Sequence, residues 1–328
     1  MFITFYIIFS KHNIHTILDT LSNVKIIYII FCLILVLLYF VSQGIYIKLI
    51  FKALGTKYSL VKGTFYSMVE FLFSGITPSS SGGQPMVVYY MKKDGIPIKQ
   101  STIVMLINTI FFKAFLVLGA IIILIFKPSY VLDTNSLIRI FFFLGVGLDV
   151  FLTIFYGLLL YNQKLIKILF TLLYKVYYKL TNKDKSYEDK VNQVLSQYSQ
   201  EASFIRKHKK EVFLASIITF IQRMFMFSIV YVIYRGLGFN QMSYFEMVLL
   251  QIFVQISAEA IFLPGGTGVS EYVSSEMFFA IFGLVSTTGM LLFRMLTFYI
   301  PLFSIAVIYL ITLVIRFKNR KKKDLTES

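Results

Sequence analysis

Charge is scarce in this sequence. Only 15% of its 328 residues are Asp, Glu, Lys or Arg and 57% are hydrophobic, whereas an ordinary soluble domain carries about a quarter charged residues. A soluble fold has no means of hiding that much apolar surface. Cysteine is nearly absent as well: Cys32 stands alone inside a long apolar run, which excludes a disulfide framework and a thiolate metal site. The three histidines, His12, His15 and His208, match no metal-ligand spacing. There is no Walker lysine, no HExxH and no nucleophile elbow, and the GGTG run at 265–268 lacks the spacing of a dinucleotide fingerprint. No catalytic residue, metal or cofactor is therefore expected. The net charge of +16 does not point to nucleic acid either, because the cations cluster beside hydrophobic spans, where they set orientation and meet anionic lipid heads.

What is present is apolar length. Runs at 25–51, 99–126, 136–160, 211–235 and 287–316 each supply the roughly 20 residues that cross a hydrocarbon layer about 30 Å thick. The first nine residues are apolar too, but a helix of that length rises only about 13 Å. They read as a short first span, with an interfacial helix as the alternative. Two further stretches, 63–91 and 243–283, are hydrophobic but broken by PSSSGGQP (Pro78 to Pro85) and PGGTGVSE (Pro264 to Glu271).

Counting Lys and Arg in the loops gives the orientation. Residues 161–210 hold eleven Lys/Arg against four Asp/Glu, the tail from Arg316 holds six more, and the loops at 52–62 and 92–99 are basic, whereas 10–24, 127–135 and 236–244 are net neutral. The basic segments, the C-terminus included, are expected on the cytoplasmic side of the cell membrane. The stretch 63–91 must then enter and return on one side. It is too short for two full crossings and a turn, which need roughly 40 residues, so it reads as a re-entrant hairpin of two half-height helices. The same reasoning makes 243–283 a second hairpin opening to the other face, although an even number of full crossings there also satisfies the charges.

The expected fold is an all-α integral membrane protein, a polytopic helical bundle with two re-entrant helical hairpins in an inverted repeat, forming one membrane domain over 1–328. Residues 25–126 form the first repeat, 136–160 a linking span, 161–210 a basic cytoplasmic helical loop, 211–316 the second repeat and 317–328 a basic tail. Within the loop, Lys164, Lys167, Lys175 and Lys179 share one face of an interfacial helix.

Gly/Pro-interrupted segments at matching positions in two halves are the sequence pointer to a transport site near the midplane. The candidate binding residues at the first tip are Pro78, Gly82, Gly83 and Gln84, and at the second Pro264, Gly265, Gly266, Gly268 and Glu271. Ser80 and Thr267 mark the two tips. Glycine lets backbone approach a ligand, and half-helix N-termini offer N–H groups to an anion such as a lipid phosphate. The plainer alternative is that these glycines only turn the chain and pack helices. A charge inside a span costs about 2.5 kcal/mol or more on insertion scales, so Arg223 and Arg294 are candidates to hold a phosphate, or else to pair with Glu259, Glu271 or Asp149. Lys113 and Glu70 are intramembrane charges of the same kind, while Glu246 and Glu276 are expected nearer an interface.

The segments ITPSSSGGQPMVVYYMKKDGI (Ile76 to Ile96) and FLPGGTGVSE (Phe262 to Glu271), with ALG at 53–55, resemble the lysylphosphatidylglycerol synthase transmembrane family, which includes the membrane portion of the multiple peptide resistance factor. The resemblance implies a flippase-like membrane part for anionic or aminoacylated phospholipid such as lysylphosphatidylglycerol. In two-domain members a separate soluble domain carries the lysyl transfer. Ser328 follows the last span closely, so synthesis by this chain alone is not expected. Three roles stay open at the level of sequence: a lipid translocase, a membrane subunit or scaffold working with a separate lipid-modifying transferase, and a small-solute transporter. The sequence does not give the oligomeric state.

Overall fold

The computed structural model describes residues 24–56, 58–77, 81–128, 134–161, 168, 171–172, 207–260, 269–283 and 286–326. Among them the chain is helical throughout, with no strand. This is the form hydrocarbon imposes, because a helix satisfies its own backbone N–H and C=O groups where no water can. The helices are α1 (Ile26–Ala53), α2 (Leu60–Ile76), α3 (Gly83–Lys93), α4 (Ile98–Phe126), α5 (Ser136–Tyr161), α6 (Lys209–Gly236), α7 (Tyr244–Glu259), α8 (Val269–Phe282), α9 (Ser286–Arg294) and α10 (Ile300–Thr326). Among the described residues five stretches are long and apolar enough to cross a membrane: α1, α4, α5, α6 and the run Thr288–Val314 through α9 and α10. The protein is a multi-pass helical membrane bundle. Its outer faces carry bare apolar side chains such as Ile26, Phe31, Leu37 and Phe303, which in water would be a liability and in lipid are the solvent contact.

Among the described residues α1 and α6 make the most extensive helix pair. These two helices are alike in length and in how they end. α1 and α6 each have 28 residues; each ends in Leu-Gly with a left-handed glycine, Gly55 at φ 76° and Gly238 at φ 90°. There the N–H of Thr56 reaches back to Phe51 O, and that of Phe239 to Tyr234 O. A serine then precedes the next helix in both halves, and at α7 it makes a full capping box: Ser243 Oγ accepts from Glu246 N–H while Glu246 Oε2 accepts from Ser243 N–H at 2.8 Å. Glu246, expected near an interface, is exposed and serves this cap.

The first broken stretch is two short helices laid against each other. α2 has 17 residues and α3 has 11, about 25 and 16 Å at roughly 1.5 Å per residue. Near their open end, Tyr66 donates to Asp94 Oδ2 at 2.6 Å, tying the start of α2 to the residue after α3. Near the tip, a Cβ on Gly83 would lie 2.1 Å from Ser74 Oγ and 2.6 Å from Glu70 O, so only glycine lets the arms meet. Thr77 closes the turn, accepting from Gly82 N–H at 2.9 Å and donating to Phe73 O at 2.5 Å. In the second half α7 and α8 likewise pack together, and α7 also lies against α5, where a Cβ on Gly145 would meet Ile256 O at 2.1 Å.

The last apolar run departs from the single span expected at 287–316. Residues Met295–Tyr299 widen into a π-helical turn between α9 and α10. Pro301 supplies the physical reason, since it has no N–H to donate and its ring crowds the carbonyl four residues back, at Thr297. Beyond the span, α10 continues as helix to Thr326, through most of the expected basic tail. The first nine residues and most of the 161–210 loop lie outside the described residues.

Candidate functional site: a polar seam through the bundle

Polar side chains that the apolar spans would ordinarily exclude meet inside the bundle in three linked groups. The first joins α1, α2 and α6. Gln43 is 2% exposed and Gln222 0%. Gln43 Nε2 donates to Glu70 Oε2. Its Oε1 accepts from Gln222 Nε2 at 2.9 Å and from Ser67 Oγ at 3.1 Å. Beside them Arg223 donates to Tyr39 Oη at 3.1 Å, and its guanidinium lies 3.9 Å from the Phe112 ring centroid. A cation over an aromatic face is worth about 2 kcal/mol when desolvated, which helps to hold this arginine near the middle of α6. Its charge also acts on Glu70.

Phe112 connects this group to the second. Lys113, the next residue of α4, has its Nζ 5.6 Å from the same ring. It donates to Asp149 Oδ1 of α5 at 2.7 Å and to Glu259 Oε2 at the end of α7. Two carboxylates thus converge on one ammonium from two other helices. Asp149 and Glu259, possible partners for the arginines, are instead taken by Lys113. Gln255, one turn before Glu259, donates to Glu259 Oε1 at 2.7 Å.

Gln255 belongs to the third group too. It lines a cavity of about 160 Å³ between α7, α8 and the last span, together with Gln251, Ser274, Arg294, Thr297 and Phe71. Arg294 is the last residue of α9, immediately before the π turn. Thr297 spends its hydroxyl on Phe293 O at 2.7 Å. Several buried polar atoms along the seam have no hydrogen-bond partner among the described residues: Gln222 Oε1, Arg223 Nε, Asp149 Oδ2 and Gln251 Oε1. Each such atom costs about 1–3 kcal/mol when left unsatisfied, and this run of them makes the seam the candidate site.

The residues singled out in the sequence divide into three sets. Arg223 and Arg294 lie on the seam. Gly82 and Gly83 belong to the first hairpin tip, where their role is the close approach of α2 and α3, and Gln84 donates to Thr109 Oγ1 of α4 at 2.6 Å. Pro78, Ser80, Pro264, Gly265, Gly266, Thr267 and Gly268 lie outside the described residues; Glu271 is placed in α8, but its side chain is not described. Sequence reasoning passed over Gln43, Gln222, Gln251 and Gln255. Their signal was an amide in the middle of an otherwise apolar run, weaker than a charge but of the same kind.

No curated protein matches the chain. Residues 1–305, which hold the first hairpin tip, Arg223, Arg294 and the first four candidate spans in full, match the family model described as the lysylphosphatidylglycerol synthase TM region, and the chain therefore belongs to that family.

Proposed function

We propose that the protein is a lipid translocase that carries the head group of an anionic or aminoacylated phospholipid, such as lysylphosphatidylglycerol, between the leaflets of the cell membrane. The observation that carries this reading is the seam itself: Arg223, Lys113 and Arg294 held inside the bundle beside unpartnered polar atoms and a small cavity. A head group crossing hydrocarbon loses its water, and each polar group left unsatisfied costs several kcal/mol. Fixed amides and guanidinium groups halfway across offset that loss, while the acyl chains stay in lipid outside the bundle. Arginine suits the task because its planar fork can hold a phosphate through two parallel hydrogen bonds.

In this reading the two broken stretches are re-entrant hairpins from opposite faces, related as an inverted repeat, with the basic loop 161–210 and the C-terminus in the cytoplasm. The matched helix lengths, the paired Leu-Gly endings and the Tyr66–Asp94 bond at the open end of the first hairpin support it. Replacing Arg223 or Arg294 by Gln keeps a hydrogen-bonding side chain but removes the charge. Hydrogen bonds to charged groups are worth about 1.5–3 kcal/mol, so each substitution should slow lipid exchange in proteoliposomes by roughly tenfold or more while leaving folded yield intact. Unchanged rates in both variants would remove the phosphate-holding role.

A further inference from the structure

The Lys113 triad carries more acid than base. Asp149 Oδ1 and Glu259 Oε2 both meet the Lys113 ammonium, so the two carboxyls converge on one nitrogen. Two carboxylates converging on one ammonium repel each other, and a proton on one of them removes that repulsion. Asp149 is fully buried and its Oδ2 has no donor. The groups that act electrostatically on Asp149 are Lys113 and Glu259. From α6, Arg223 lies over Phe112 and its charge acts on Glu70. From α7, Gln255 is neutral. Arg294 lines the cavity beyond Gln255, and the titratable residues of α8, Glu271 and Glu276, are acidic. Nothing among the described residues supplies a second cation to the triad, and like charges this close in a desolvated site do not both stay ionised.

We propose that Asp149 and Glu259, held together on Lys113, share one exchangeable proton near the middle of the membrane, making the proton a second ligand of this protein. The proton arrives from water on one side, forms an O–H bond to one carboxyl oxygen and is donated to the other carboxylate. It leaves when that O–H bond breaks toward water on the opposite side. The two acids are placed unequally for this. Asp149 has 1% of its side chain exposed and sits mid-helix in α5, whereas Glu259 has 20% exposed and is the last residue of α7, at the end of a hairpin arm. Movement of that arm separates the pair: Asp149 keeps Lys113 as a balanced ion pair, and Glu259 meets water. Gln255 links the same carboxylate to the Arg294 cavity, so a head group entering the cavity and a proton on the pair compete for one arrangement of α7. The coupling to lipid movement rests on the translocase reading; the proton site does not.

Infrared spectra of the purified full-length protein in H2O and D2O test the site without any transport. A protonated carboxyl band that shifts in D2O is expected near neutral pH and should be lost from both Asp149→Asn and Glu259→Gln. Should Asp149→Asn fail to fold, Glu259→Gln decides alone, since its amide oxygen can still accept from Lys113. A band that survives Glu259→Gln unchanged overturns the shared proton. In proteoliposomes with labelled phosphatidylglycerol, a pH gradient should change the initial exchange rate several-fold, with a sign set by its direction, and Glu259→Gln should flatten that response. A wild type indifferent to the gradient overturns coupling, and a variant responding like wild type removes Glu259 from it. If no lipid moves at all while the carboxyl band behaves as expected, the translocase reading falls and the proton site stands.

Discussion

Lys113 is the residue on which the interior charges depend. Without it the Asp149–Glu259 pair is left with no cation, and breaking a buried ion pair from one side costs about 3–5 kcal/mol. Lys113→Met should therefore lower thermal stability in detergent by that amount. Adding Glu259→Gln should recover part of the loss, because the double variant has one buried acid fewer. Equal melting of Lys113→Met and the wild type would show that the triad does not hold α4, α5 and α7 together. At this scale the sequence shows which residues matter more readily than what they touch. Lys113, Asp149, Arg223, Glu259 and Arg294 stand out because a charge in an apolar run needs a reason to be there. Their partners were hidden, since Lys113 and Glu259 lie 146 positions apart and meet only through helix packing. The glutamines were missed because an amide disturbs the hydropathy of a span far less than a charge does.

The helices themselves were legible. The first four spans begin and end within two residues of the apolar runs that announce them, since in hydrocarbon length and apolarity leave little else to decide. The broken stretch 63–91 was legible too as two short helices, from its Gly/Pro cluster. Less visible was why particular glycines are glycine. Gly83 and Gly145 are contact points between helices, with neighbouring backbone where a side chain would stand, whereas Gly147, two residues along the same helix, faces open space. Gly145→Leu should abolish the α5–α7 contact and yield aggregated protein in size-exclusion chromatography, and Gly147→Leu should elute as wild type does. Similar behaviour of the pair would mean that helix propensity, not packing, sets these positions. Gly83→Leu should for the same reason be a folding lesion. The π turn escaped the sequence reading although Pro301 was its signal; hydropathy across 287–316 is continuous and masks a backbone defect.

For the whole molecule, the bundle places its polar seam inside five spanning helices and leaves apolar faces outward. The orientation proposed from loop charge is open to a direct check. With Cys32→Ala as background, single cysteines at Ser328 and at Lys183 should react with an impermeant thiol reagent only when the cytoplasmic face is accessible. Labelling from outside intact cells would invert the assignment. The central claim is movement of lipid by this chain. Purified protein is placed in liposomes with a labelled phosphatidylglycerol derivative, and exposure of the label to an impermeant quencher is followed over time. Label initially shielded in the inner leaflet should become quenchable at least about tenfold faster than in empty liposomes, which corresponds to roughly 1.4 kcal/mol off the barrier, and Arg294→Gln should return the rate toward the empty control. Exchange no faster than in empty liposomes, across anionic, aminoacylated and zwitterionic lipids alike, would contradict the account and leave the chain as the membrane subunit of a lipid-modifying enzyme.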